Sequence, residues 1–91
     1  MSHLSTLSAD GSTTYVRATG TEYLIEAEGT WGSGTLTPKI KSYDGTAITY
    51  GTQTLTADGA IAVVVPKGKE LGATLSGSTN PSLKVHIVKI K

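Results

Sequence analysis

The chain has 91 residues, a net charge of +1 from 8 basic and 7 acidic side chains, and neither cysteine nor phenylalanine. That length makes one domain, the near-neutral balance gives no long-range field for nucleic acid or a membrane surface, and no disulfide can support the thin core of so small a chain. Threonine, serine and glycine supply 15, 9 and 11 residues, set between short alternating hydrophobic runs, which is the pattern of many short strands joined by tight turns.

Residues 1–7 are polar with two leucines, Leu4 and Leu7, and read as an N-terminal arm or a first edge strand. Residues 8–91 read as one β-domain. Asp10-Gly11 marks a turn, and Thr13–Ala18 is a short strand. In Glu22–Glu28, Tyr23, Ile25 and Ala27 share one face, while Glu22, Leu24, Glu26 and Glu28 share the other. Gly29-Thr30-Trp31-Gly32-Ser33-Gly34 is a loop holding the single tryptophan. Thr35–Tyr43 is a strand whose Pro38 cannot donate to a ladder, so it is expected at an edge or with a bulge. Ala47–Tyr50 and Gln53–Thr56 are short strands, or one strand broken at Gly51. Asp58-Gly59 reads as a hairpin turn. Ala60–Val65 is β-branched and apolar on both faces, which predicts a central, buried strand. Glu70–Ser76 puts Leu71, Ala73 and Leu75 on one face, and Ser82–Lys91 is the last and longest strand.

That last strand changes parity. Leu83, Val85 and Ile87 alternate on one face, then Val88 and Ile90 take the other. A β-bulge near Ile87-Val88 is the favoured explanation; burial of the strand's end on a second surface is the alternative. Thr6-Leu7-Ser8-Ala9-Asp10-Gly11 also recurs as Thr54-Leu55-Thr56-Ala57-Asp58-Gly59. Convergence of Asp-Gly turns on similar residues explains this echo, and two similar halves are the alternative. With no capped helical period, the fold expected is all-β: a small β-sandwich or jelly roll of about eight short antiparallel strands, with a small barrel as the alternative.

Chemistry-bearing residues are few. Asp10, Asp44 and Asp58 all precede glycine, so turn geometry accounts for them ahead of a calcium site. His3 and His86 lack metal-ligand spacing. His3 is third in the chain, a position that binds copper or nickel through a free amino terminus, but removal of Met1 shifts that register. No nucleophile elbow exists, and the glutamates facing lysines suit cross-strand pairing better than glycoside hydrolysis. No cofactor, metal ligand or catalytic residue is expected. Trp31 with Tyr15, Tyr23, Tyr43 and Tyr50 suggests a stacking platform for a sugar, although a tryptophan between glycines is expected to fold back as a cap. The lysines are scattered and not interleaved with aromatics, against nucleic-acid binding. No run approaches the roughly 20 apolar residues of a membrane span. The start, Met1-Ser2-His3-Leu4, carries no signal-peptide pattern.

Gly32-Ser33-Gly34-Thr35-Leu36-Thr37 leads to Tyr43-Asp44-Gly45, then to Thr54–Gly59, Val63-Val64-Val65-Pro66-Lys67-Gly68 and Ala73–Val85. This succession resembles small β-sandwich virion proteins of tailed bacteriophages, including capsid decoration or cement proteins. The resemblance covers about two-thirds of the chain and rests on turn and strand chemistry. It implies a non-enzymatic structural protein made in the host cytoplasm and carried on the virion. It also implies a major capsid protein or other virion protein as partner, and a homo-oligomer, a trimer being one option. Leu4, Leu7, Trp31, Val88 and Ile90 are the expected partner-contact residues, and loss of residues 1–7 is expected to abolish attachment but leave the fold intact. A carbohydrate-binding or host-adhesion module, tail or head-fibre associated, is the alternative function.

Overall fold

A computed structural model of the chain describes residues Ser2–Lys91, which hold nine strands and no helix. They are β1 (Ser2–Leu7), β2 (Gly11–Ser12), β3 (Val16–Arg17), β4 (Glu22–Thr30), β5 (Thr35–Lys41), β6 (Ala47–Thr49), β7 (Gly59–Val64), β8 (Glu70–Ser76) and β9 (Ser82–Lys89). All pair antiparallel. Sheet A has the order β1-β9-β4-β7; sheet B has the order β2-β8-β5-β6, with β3 also on β8. The two sheets pack face to face as a small β-sandwich, the expected fold class.

The core follows from period-two alternation. Leu7, Tyr23, Ile25, Ala27, Ile61, Leu83, Val85 and Ile87 point inward from sheet A. Val16, Leu36, Leu71, Ala73 and Leu75 meet them from sheet B. Fully burying each leucine, isoleucine or valine is worth roughly 1.5–3 kcal/mol, and six of the bulkiest, Ile25, Leu36, Leu71, Leu75, Leu83 and Ile87, are almost wholly out of water.

Of the two readings of the N-terminal residues, the structure has the edge strand: Ser2–Leu7 pairs along its whole length with β9, from Ser2 opposite Val88 to Leu7 opposite Leu83; Met1 lies outside the described residues. Several other elements differ from the sequence reading. The bulge expected near Ile87-Val88 is absent. β9 keeps one register against β4 and β1 as far as Lys89, so Val88 continues outward from sheet A; beyond it, the Ile90 and Lys91 amides both donate to the Glu22 carbonyl, at 2.8 and 3.2 Å, and the Glu22 amide donates to the Lys91 carbonyl at 3.2 Å.

A bulge sits instead in the first edge of sheet B. Ser12 pairs with Thr74 and Val16 with Leu71, so three residues on one side face two on the other. Thr13 bridges the gap. Its amide donates to the Ala73 carbonyl at 2.9 Å, and its Oγ1 accepts from the Ala73 amide at 3.1 Å.

Pro38 is not at an edge, since β5 lies between β8 and β6. The Pro38 carbonyl accepts from the Tyr50 amide at 2.9 Å, which places its missing donor on the β6 side. There β6 ends at Thr49, the chain turns away through Gly51 (φ 81°), and Leu55 rejoins β5 opposite Leu36. The break in the sheet's edge falls where the ladder has no donor.

Ala60–Val65 is not central either. β7 is the outer strand of sheet A, with Ile61 and Val65 inward and Val64 exposed. Asp58-Gly59 therefore makes no hairpin: it carries the chain from Leu55 in sheet B to β7 in sheet A. The hairpin is at Asp44-Gly45, joining β5 to β6, with Gly45 at φ 89°.

Candidate docking surface

Residues of outward parity on sheet A line up across four strands. Leu4, His86, Glu26 and Ala60 form one row. Val88, Leu24 and Ala62 form the next. Glu22 pairs with Val64, and Ile90 is bonded to Glu22 from the other side. Leu4 and Val64 are 64% and 66% exposed. The result is an apolar band crossing a sheet face that otherwise carries charge. Glu26 lies 3.6 Å from His86, and Glu22 lies 4.0 Å from Lys91, both exposed pairs of small energetic weight. A shallow groove of about 660 Å³ runs along this face, with Leu4, Glu26, Ala60, Lys84 and His86 among its lining residues.

The β7 edge continues the band. Val65 donates to the Thr21 carbonyl at 3.0 Å, so the odd-numbered residues of β7 bond to β4, and Ala60, Ala62 and Val64 turn their backbone groups away from the sheet. The Tyr50 hydroxyl donates to the Val64 carbonyl and blunts that end. The Ala60–Ala62 stretch carries no proline, lysine or bulge, the usual protections of an edge.

The outer face of sheet B is different in kind. Ser12 and Thr74 hydroxyls bond at 2.8 Å, and Lys39 donates to the Thr49 hydroxyl at 3.0 Å. Tyr15 lies flat on Gly72, with the Lys41 ammonium 4.8 Å from its ring centre. This face is hydroxyl-rich, and neither leucine, isoleucine nor valine points outward from its β5 or β8 strands.

Of the five expected contact residues, Leu4, Val88 and Ile90 share the outer face of sheet A. Leu7 does not join them. It is 8% exposed and belongs to the core, because it points inward from β1 opposite Leu83. Trp31 is half-buried against the core, and its indole N–H donates to Asp58 Oδ1 at 2.8 Å. The tyrosines do not gather around it: Tyr23 is buried, Tyr43 is exposed, Tyr50 reaches β7 and Tyr15 lies on sheet B. The sequence put Leu24 on this outward face but not among the contact residues, and it missed Ala60, Ala62 and Val64. The small alanines alternating with Ile61 and Val63 were the available sign that one side of that strand meets no second layer.

The aspartates fasten loops. Asp10 accepts from the Ser78 amide at 2.9 Å, from the Ser78 hydroxyl and from the Gly77 amide at 3.1 Å. The Ser78 hydroxyl, then its amide, hold the Asp10 carboxyl below its ordinary value. Asp44 is lowered by the Ser42 hydroxyl and the Thr46 amide inside the β5–β6 turn. Among the described residues no group of three or more His, Asp or Glu is placed to hold a metal ion. The chain matches no protein-family model, and searches of curated proteins and of solved structures found no similar protein.

Proposed function

We propose that this chain is a non-enzymatic structural protein of a phage particle, a decoration or cement protein that binds the assembled shell through the outer face of sheet A and the β7 edge. The observation that carries this reading is the apolar band of Leu4, Leu24, Val88, Ile90 and Val64 running into an edge whose Ala60 and Ala62 backbone groups have no strand beside them. Burying apolar side chains supplies affinity, and strand addition supplies direction. The molecule measures 34 × 26 × 20 Å, so its broad side matches the roughly 800 Å² that each partner gives to a standard interface. A protein that binds only the assembled lattice stabilises that lattice by mass action.

The test is co-sedimentation of purified protein with its undecorated particle. The double substitution Ala62→Lys and Val64→Glu leaves the core untouched and places charge in the band and beside the free edge. We expect an unchanged circular dichroism spectrum and a copy number per particle reduced at least tenfold. Wild-type occupancy by the folded double variant would rule the surface out.

A further inference from the structure

We infer that the chain is two copies of one folding unit, β1–β5 and β6–β9, and that the surface each unit presents to the other is a self-association surface whose partner is a second copy of that unit. The echo at Asp10-Gly11 and Asp58-Gly59 is its most visible trace, and convergent turn chemistry does not account for the rest. A shift of 48 residues carries Leu7 onto Leu55, Asp10-Gly11 onto Asp58-Gly59, Gly20 onto Gly68, Glu22 onto Glu70 and Gly29 onto Gly77. Strand β4 falls on β8, and the β2–β3 edge falls on β7. Thr35-Leu36 and Ile40 of β5 match Ser82-Leu83 and Ile87 of β9 one residue out of step.

Topology gives independent support. The same shift carries β1 onto residues 50–55, which follow β6 along the outer side of β5 and meet it at the Leu36–Leu55 bridge, so exchanging the two units turns β1-β9-β4-β7 into the 50–55 segment, β5, β8 and β2/β3, the order of sheet B read backwards from its β6 side. Individual bonds exchange too. Gly77 donates to Asp10 at 3.1 Å, and Gly29 donates to Asp58 at 3.1 Å. The pair Leu7–Leu83 becomes Leu55–Leu36. Gly11–Leu75 becomes Gly59–Ala27, and Ser12–Thr74 becomes Ala60–Glu26. Val65 donating to Thr21 becomes Ala18 donating to Lys69, displaced by the one residue that the bulge adds. Turn convergence produces similar loops; it does not produce reciprocal partners across two sheets.

Every ladder joins one unit to the other. In sheet A, β1 and β4 pair with β9, and β4 pairs with β7. In sheet B, β2, β3 and β5 pair with β8, and β5 pairs with β6. The only covalent link between the units is the Ser42–Thr46 hairpin loop. A unit therefore pairs as readily with a unit of another molecule once that hairpin is unable to turn, which is exchange of identical elements between chains.

The experiment is deletion of residues 42–46 from the full chain, with mass read by light scattering. We expect a dimer with a wild-type circular dichroism spectrum. Two cysteines make the exchange visible: Glu26→Cys and His86→Cys face each other across β4 and β9, one in each unit, at a spacing suited to a disulfide. Oxidation is expected to link two chains in the deletion variant and to close within one chain in the full-length protein. A folded monomer, or a dimer whose disulfides stay within one chain, would overturn the inference. So would a deletion variant that fails to fold while the circular permutant starting at Thr46, with Lys91 joined to Ser2 through a Gly/Ser linker, folds as a monomer. Loss of fold in the permutant as well would equally overturn it, because the permutant keeps both units and all their pairings.

Discussion

Thr13 does with a side chain what β2 and β3 fail to do with backbone. It is 5% exposed, and its Oγ1 is the acceptor for the Ala73 amide in the middle of the sheet. Replacing it by valine keeps the shape and removes the acceptor, leaving a buried N–H unpaired. Such a loss costs about 1–3 kcal/mol, so Thr13→Val should lower the unfolding free energy from urea titration by that amount, and Thr13→Ser should recover most of it. Equal stability of the valine and serine variants would show that the hydroxyl is not the acceptor that matters. Asp10 and Asp44 act through charge. Both carboxyls are lowered from the ordinary value of 3.8 by hydroxyl and amide donors. A depressed folded value means that the unfolded chain takes up protons first, so their contribution is present above pH 3.8 and is lost as the pH falls through the folded values. Thermal unfolding monitored from about pH 6 to about pH 2 should show stability falling below about pH 4, and Asp10→Asn should lessen that fall. An unchanged slope in that variant would remove Asp10 from the account.

At the scale of elements, alternation was readable, while position within a sheet, and which Asp-Gly pair closes a hairpin, were not. The inward sets Tyr23-Ile25-Ala27, Leu71-Ala73-Leu75 and Leu83-Val85-Ile87 came directly from period two, and each is buried. Sequence alone placed β7 in the centre because Ala60–Val65 is apolar on both faces. Being apolar says nothing about which strands flank it, and its outward side meets solvent. Pro38 misled in the opposite direction: a missing donor fits an interior strand when the neighbouring strand breaks opposite it. The apolar band on sheet A was only half legible: Val88 and Ile90 stood out by parity, Leu4 as part of the N-terminal stretch and Leu24 by its place on the glutamate face, while Ala60, Ala62 and Val64 needed the register. The register of β1 decides its role in stability. As a detachable arm it would be dispensable; as a paired strand ending in buried Leu7, it is part of the fold. Leu7→Ala should cost about 2–5 kcal/mol, and a chain lacking residues 1–7 should lose its cooperative thermal transition. Retention of that transition would restore the arm reading.

The whole molecule is interlaced. No strand pairs with another of its own unit, so the β1–β5 half and the β6–β9 half each have no ladder until the other arrives. A strand without a partner leaves its backbone groups unsatisfied, and two strands are marginal even when paired. Neither half can therefore hold structure while the other is unfolded. Unfolding must be one transition, and folding must wait for contacts far apart in sequence, which places it in the slow, millisecond-to-second range of all-β domains. Trp31 reports on the first half, where its indole is tied to Asp58 of the second, and far-ultraviolet circular dichroism reports on both. The two signals should trace one superimposable urea curve, with equal midpoints and equal slopes. Hydrogen exchange of the slowest amides in β4 and β8 should likewise share one opening free energy, because either strand can open fully only when both units part. A tryptophan transition that preceded the circular dichroism, or a β8 that stayed protected after β4 had exchanged, would mean that one half stands alone.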